Sequence, residues 1–472
     1  MMCKEAGSRP MFCVVSVFLV FISSASGQSF TKHFIDDNLA WASGVATADV
    51  DGDLDIDIVA TGATANEVAW YENDGAQNFT KHVVDNTLGT ARSCYGVDLD
   101  QDTDIDIIAT ASGADSIVWY ENDGSQNFTA HLIVEGLASA WDVFVVDLDQ
   151  DNDLDMVATA ATANVVNWYE NDGAENFTEH NIDPFLEGAE GIYVIDLDQD
   201  NDLDVVACGI FGDEVVWYEN DSSQNFTEHI VDALFNGAND VFVGDMDLDD
   251  DYDIVASGSQ DNVVAWYEND GFQNFTEHIV ASLQGARAVF VADINGDSLL
   301  DIVAVGLQDM VMWYENSGGG NFVPHVIDNF LDLAFGLYVA DLDGDSDFDV
   351  LATGGNANDL VWYESDLVGI SEGDGGEFVP DGVKRLSNYP NPLNVLTSLV
   401  YELSVQSSVA LKIYDIGGQL IITLIEEHQP AGYHSILWNR CDTHGNRVPA
   451  GVYFCVLRTI ESSASRRMIV VD

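Results

Sequence analysis

Basic side chains are what this sequence most conspicuously lacks: 14 Lys and Arg stand against 82 Asp and Glu, a formal net charge of −68. A chain so anionic is repelled by nucleic acid and by anionic membrane surfaces, so neither is expected as a partner. Cysteine is scarce as well. Once an N-terminal apolar segment is set aside, Cys94, Cys208, Cys441 and Cys455 remain, too few for a disulfide framework in 472 residues. A Cys441–Cys455 bridge is one reading and two unrelated small buried residues the other. No apolar run reaches membrane-spanning length. Met11–Ile22 is apolar over 12 residues, follows Lys4 and Arg9 and precedes Ala25-Ser26-Gly27. That is the layout of a secretory signal peptide over residues 1–27 and is too short for a membrane span. Cys13 lies early in that run, which argues against a lipid-anchored cysteine. The mature chain is expected to begin near Gln28 and to be exported. Low hydrophobicity is not among the shortages: 47% of residues are hydrophobic, with 10 Trp, 16 Tyr and 23 Phe, so the chain is expected to fold around large cores.

What is present is repetition. The string WYEN, or WYES, starts at Trp70, Trp119, Trp168, Trp217, Trp266, Trp313 and Trp362, in steps of 49 residues with one step of 47. Short β-rich runs separated by Gly, Asn and Asp at this period are the mark of a propeller blade rather than of a helical solenoid. In the first copy the pattern predicts strands over 44–48, 56–62, 67–72 and 79–84. Ser29-Phe30-Thr31-Lys32-His33 matches the fourth-strand segment Asn78-Phe79-Thr80-Lys81-His82, whereas the last copy stops after Trp362-Tyr363-Glu364. The first strand is therefore expected to complete the last blade, which removes the open sheet edges. The fold class read from this is all-β: a seven-bladed propeller over residues 28–365, a linker over 366–385 rich in Gly, Ser, Glu and Asp, and a small sandwich over 386–472.

Between the first and second strands of each copy lies a nine-residue acidic loop, DVDGDLDID in the first (Asp49 to Asp57). Alternate carboxylates converge on one side of a tight loop, and hard oxygen donors in that number suit Ca²⁺ better than Mg²⁺. The sixth loop, DINGDSLLD, has lost the acid at position 7 but keeps oxygen donors at positions 1, 3, 5 and 9. Those positions are taken as the side-chain ligands and position 7 as a backbone carbonyl. Position 1 holds Asp49, Asp98, Asp147, Asp196, Asp245, Asp293 and Asp341. Position 3 holds Asp51, Asp100, Asp149, Asp198, Asp247, Asn295 and Asp343. Position 5 holds Asp53, Asp102, Asp151, Asp200, Asp249, Asp297 and Asp345, and position 9 holds Asp57, Asp106, Asp155, Asp204, Asp253, Asp301 and Asp349. Up to seven structural Ca²⁺ ions are expected. The loops are not EF-hands, because position 12 of the first is Ala60 and its flanks are strands. A solvated acidic turn would account for one such copy but not for seven that keep the same four oxygen positions. Without metal, the clustered charges repel or take up protons; with metal, the binding free energy adds to folding.

The pattern D-x-[DN]-x-D-x-x-x-D, followed by an apolar run such as Ile58-Val59-Ala60-Thr61-Gly62, resembles the FG-GAP or VCBS repeats of integrin-like propellers over Ser29 to Ser365. The resemblance implies Ca²⁺ bound on one face of the ring, although the family's usual Gly at position 6 is absent from all seven loops. Beyond the linker, SNYPNPLN (387–394), KIYDIGGQL (412–420), AGYHSILWN (431–439) and GNRVPAGVYFCVL (445–457) alternate apolar and polar residues. They are similar to the carboxy-terminal sorting domains of type IX secretion substrates and to the Ig-like domain of flagellar hook-capping proteins. This resemblance implies passage across the outer membrane of a Gram-negative-type bacterium through its secretion machinery, and release or attachment at the cell surface.

Seven of the ten histidines (His33, His82, His131, His180, His229, His278 and His325) occupy one repeat position, which suits packing rather than catalysis. Asn78, Asn127, Asn176, Asn225 and Asn274 open Asn-Phe-Thr triplets and are read as turn residues rather than glycan acceptors. Seven residues before each acidic loop stands an Ala, and the next position varies: Ser43, Arg92, Trp141, Glu190, Asn239, Arg287 and Phe335. These are expected on exposed connections opposite the acidic loops, with Trp41, Arg92, Trp141, Arg287 and Phe335 as a ligand surface. No Ser/His/Asp or Cys/His arrangement is found. The expected function is a non-enzymatic, Ca²⁺-binding adhesion module for extracellular polysaccharide or protein. The rival is a lyase-like enzyme acting on acidic polysaccharide, as the resemblance also implies, and a third reading is a surface spacer without ligand.

Overall fold

The computed structural model describes residues 28–366 except Ser346 and, between 383 and 470, seven further strands with parts of their connections. The expected signal peptide and most of the linker lie outside the described residues. The described chain is all-β.

The first repeat shows how sequence becomes sheet. Strands β1 (Ser29–Asp36), β2 (Ala42–Ala48), β3 (Asp57–Gly62), β4 (Glu67–Asn73) and β5 (Phe79–Asp85) follow in order, and β2 to β5 form one antiparallel four-stranded sheet. All six residues of β3 are buried, because a propeller sheet is covered on both faces by its neighbours and its central strands read as continuous apolar runs. The outermost strand, β5, has no fully buried residue and mixes partly buried with exposed ones. Seven such sheets occupy residues 29–366. Each inner strand packs on the inner strand of the next sheet, and the last of them, Ala334–Ala340, packs on β2, so the ring is closed. The fourth strand of that last sheet is β1, paired antiparallel with Asp359–Asp366 so that His33 faces Trp362, as His82 faces Trp70 within the first sheet.

The WYEN motif is a packing unit. Its Trp is buried and stacks on the histidine of the outer strand at 4.3 to 4.7 Å between ring centroids in all seven sheets. The histidine Nε2 lies 2.6 to 2.8 Å from the Glu of the same motif. In five of the seven sheets the Tyr hydroxyl donates to the Asp that ends the outer strand of the preceding sheet, as Tyr71 to Asp36 (2.8 Å), Tyr120 to Asp85 (2.9 Å) and Tyr218 to Asp183 (2.7 Å). Each such bond ties neighbouring sheets together.

Beyond the ring, a three-stranded sheet (Val383–Tyr389, Thr397–Leu403, Gly432–Trp438) and a four-stranded one (Leu420–Gln429, Ser407–Asp415, Gly451–Arg458, Ser463–Val470) share a core that includes Tyr401, Leu411, Trp438, Cys455 and Met468. Cys441 and Cys455 are free thiols, so the unbridged reading of the pair is the observed one.

Candidate metal loops and the axial mouth

Each acidic loop wraps its own backbone around its carboxylates. In the first, Leu54 N donates to Asp49 Oδ2 (3.0 Å), Asp53 N to Asp51 Oδ1 (3.2 Å) and Asp55 N to Asp53 Oδ1 (2.9 Å). The winding requires positive φ at positions 4 and 6, met by Gly52 (76°) and Leu54 (79°) here and by Gln101 (62°) and Thr103 (85°) in the second loop. A left-handed conformation on side chains with a Cβ costs strain that the Asp bonds offset.

Oxygen atoms of Asp49, Asp51 and Asp53 lie within 4.8 Å of one another, as do those of Asp98, Asp100 and Asp102. In the next three loops the converging sets are Asp147, Asp149 and Asp155; Asp196, Asp198 and Asp204; and Asp245, Asp247 and Asp253. Positions 1 and 3 thus come together in all five, joined by position 5 in two and by position 9 in three. Of the remaining predicted ligands, Asp151, Asp200, Asp249, Asp297 and Asp345 hold the loop turn through bonds to backbone N–H groups.

Position 9 has a role that spacing did not reveal. Asp57 is fully buried and accepts from Val50 N (2.9 Å) and Asn73 N (2.8 Å), anchoring the loop to the end of the third strand. Asp106, Asp155, Asp204, Asp253, Asp301 and Asp349 repeat both bonds. The side chain at position 7 also has a place. A Cβ on Gly75 would lie 2.4 Å from Asp55 Oδ2, and the same holds for Gly124 with Asp104, Gly173 with Asp153 and Gly271 with Asp251, so glycine admits that carboxylate against the next turn.

The fit to a cation is tested by unsatisfied atoms. Oδ1 of Asp49, Asp98, Asp196 and Asp247 is buried and accepts no hydrogen bond, a costly state for a charged oxygen unless a cation completes it. Burial and the adjacent aspartates push the carboxyls of Asp49, Asp51, Asp98, Asp100 and Asp147 above their ordinary range, and that of Asp198 up to about 6. The donor set is therefore hard, anionic and underfilled, and it could hold a metal ion.

At the opposite end of the inner strands the structure corrects the expected ligand surface. The variable residues do not stand on exposed connections; they open the inner strands, where a register shift between Ala42 and Val45, and its counterparts in the other sheets, turns them toward the ring axis. Ser43, Glu190, Asn239 and Arg287 are buried. Arg287 Nη1 bonds Glu190 Oε2 (2.7 Å) and the Asn239 side-chain oxygen. The guanidinium carbons of Arg92 and Arg287 lie 4.4 and 5.1 Å from the Trp141 ring centroid and 5.8 and 4.4 Å from that of Phe335. Four of the five predicted residues thus meet at one mouth. Trp41 does not line it: its backbone N donates to the Asn358 side-chain oxygen (2.9 Å) and its indole lies against Gly355.

Two features of the axis went unread in the sequence. A Thr or Ser of the second strand bridges sheets: Ser93 N donates to Thr110 Oγ1 (3.0 Å), which donates to Trp141 O of the next sheet (2.7 Å), and Thr353 closes the ring on Ser43 O (2.9 Å). Its signal was the hydroxyl recurring inside an otherwise apolar run. Below the mouth, a cavity of about 230 Å³ is lined by Tyr95, Phe144, Tyr193, Phe242, Phe290 and Tyr338 and by Asp142 and Asp240, whose carboxyls burial raises to about 6 and about 7.

Residues 49–109, 98–158, 245–304 and 293–352 each match the FG-GAP-like repeat. The chain carries FG-GAP-like repeats. Among solved structures, BBS1N in complex with ARL6DN, soaked with lead, is similar at TM-score 0.50 and 14% identity, over 71% of this chain and 95% of that one. The mercury-soaked form of the same complex gives the same values. Likeness at this identity speaks for the propeller fold alone. No curated protein sequence matches the chain.

Proposed function

We propose that this protein is a secreted or cell-surface, Ca²⁺-stabilised propeller that binds extracellular polysaccharide or protein without catalysing a reaction. The observation that carries the reading is the division of labour between the two ends of the ring. One end repeats an underfilled carboxylate cluster from sheet to sheet, which suits a structural ion. The other breaks the repeat with seven side chains of six kinds converging on one mouth, which suits recognition. In this reading positions 1, 3 and 5 of each loop, with position 9 where it converges, hold Ca²⁺, and the ion neutralises charge that the fold otherwise has to protonate. Extracellular Ca²⁺ modules bind at about 10⁻⁴–10⁻³ M, so extracellular fluid would keep the loops filled. Export rests on the apolar N-terminal segment over residues 1–27 and on the resemblance of 386–472 to type IX sorting domains, with the outer-membrane secretion machinery as the partner of that region.

The test is a glycan array with a parallel protein pull-down, using the full chain in millimolar Ca²⁺. Capture of a defined ligand by the parent, weakened in Trp141→Ala, is the expected result. Cleavage of an acidic polysaccharide would replace the binding reading with the enzymatic one, and silence across both screens would leave a spacer.

A further inference from the structure

Only four of the 14 Lys and Arg fall between residues 28 and 366: Lys32, Lys81, Arg92 and Arg287. Three have carboxylate partners. Lys32 pairs with Asp328 (2.7 Å), Lys81 with Asp36 and Glu67 (2.7 and 2.6 Å) and Arg287 with Glu190 (2.7 Å). Arg92 has no carboxylate within ion-pair distance among the described residues. Its Nε donates to Ser112 Oγ (2.9 Å) on the turn between second and third strands, and its guanidinium lies over Trp141 and Phe335 beside that of Arg287. In a chain with 82 acidic residues, a cation set against a second cation, with its neighbouring carboxylate Glu190 bonded to that second cation instead, is not a product of shortage.

We propose that Arg92, framed by Trp141 and Phe335, is the anion-binding head of an axial site that takes a small organic carboxylate with a compact ring-shaped body, free or at the end of an acidic glycan. The inference deepens the binding reading above and rests on it. Three observations favour this class of ligand. A planar guanidinium whose Nη groups have no hydrogen-bond partner among the described residues offers the paired donors that match a carboxylate. The flanking aromatic faces suit an apolar ring edge rather than a bare inorganic ion. The cavity of about 230 Å³ is below the roughly 300–1,000 Å³ of drug-sized sites, so it admits one small group and not a folded surface. The burial cost of Arg92, whose guanidinium is driven down to about 10 by desolvation and then by Arg287, falls when an anion joins it.

The carboxylates nearby do not cancel this. Glu190 hydrogen-bonds Arg287 and acts on Arg92 only through space, leaving the Arg92 donors untaken by it. Asp142 and Asp240 accept backbone N–H bonds, from Val143 (2.9 Å) and from Val241 and Val289 (3.0 and 2.9 Å). The acidic loops stand a full seven-residue strand away, about 20 Å at 3.3 Å per residue, well beyond the screening length of about 8 Å at physiological salt.

The experiment is calorimetric titration of the full chain, in Ca²⁺, with sodium glucuronate, its neutral methyl ester and glucose at matched ionic strength. Glucuronate is expected to bind and the two neutral sugars to bind at least about tenfold more weakly, the loss of one charge-assisted bond pair. Arg92→Met and Arg92→Gln are each expected to weaken glucuronate by the same factor or more. A galacturonate trimer binding more tightly than glucuronate assigns the glycan end as the source; equal or weaker binding assigns the free acid. Indistinguishable binding of glucuronate and its ester overturns the proposal without any variant. Parent-like affinity in a folded Arg92 variant overturns it as well. If a ligand from the array is captured equally by parent and Arg92→Gln, the binding reading stands and the axial assignment falls; if nothing is captured by the parent, both fall.

Discussion

At the scale of single residues, the ring is held by side chains that serve two sheets at once. Thr110 is the clearest: its hydroxyl accepts from Ser93 N and donates to Trp141 O, so it both fills the register shift of one inner strand and ties the next. Thr110→Val keeps the shape and leaves a buried donor and acceptor unpaired. It is expected to cost about 1–3 kcal/mol, measured by urea unfolding at fixed Ca²⁺; an unchanged midpoint would remove the hydroxyl bridge from the account. Asp240 carries a pH signature. Its folded carboxyl is raised to about 7 by burial, from an ordinary value of 3.8, with Asp142 adding to the rise and Arg287 and the N–H groups of Val241 and Val289 opposing it. A folded state that holds its proton more tightly than the unfolded chain loses stability as pH rises between the two values, by at most about 1.4 kcal/mol per pH unit. Asp240→Asn removes that loss and introduces a pH-independent penalty, since the amide cannot accept both N–H groups. Relative to the parent, the variant is therefore expected to be more favourable at pH 7.5 than at pH 5, read from paired denaturant curves. A difference that is flat across that range would contradict the assignment.

Among elements, the decisive one is β1, the strand that lies first in sequence and last in space. Its pairing with Asp359–Asp366 supplies His33 to Trp362, while Lys32 bonds Asp328 of the preceding sheet (2.7 Å). Without it, the last sheet presents an unpaired edge and the stack on Trp362 is lost. Deletion of residues 29–36 is expected to lower the melting temperature and to convert a monodisperse protein into a self-associating one, followed by light scattering across a thermal ramp. A truncated protein as stable and as monodisperse as the parent would show that the ring does not depend on this clasp. The loops are elements too, linked to one another in one arc: Gln101, Gln150 and Gln199 each donate to a backbone carbonyl of the following loop, at 2.6, 2.5 and 2.5 Å.

For the whole molecule the controlling quantity is uncompensated negative charge. Orphaned carboxylate oxygens and raised carboxyl pKa values at the loops would link folding to cation binding in the function proposed above. Each occupied site adds about 2.7 kcal/mol when free ion exceeds its dissociation constant 100-fold, so several sites acting together make a large effect. Addition of a strong chelator is expected to lower the melting temperature by well over ten degrees and Ca²⁺ to restore it in a concentration-dependent way, by scanning calorimetry. Identical melting with and without chelator would leave the loops as solvated turns.

The repeat period, the all-β class, the buried WYEN strand, the histidine packing position and the convergence of acids at positions 1 and 3 were all determined by the sequence alone, because each is a local pattern repeated until chance is no explanation. What position 9 does, where position 7 points and which residues share the axis were decided only by tertiary structure. Those depend on bonds to strand ends 15 or 16 residues away and on register shifts that rotate a side chain from an outer face to the axis, neither of which leaves a periodic trace. Arg92, Trp141, Arg287 and Phe335 are spread over some 240 positions of sequence and meet only because the ring closes, so their shared mouth was legible as variation and not as a site.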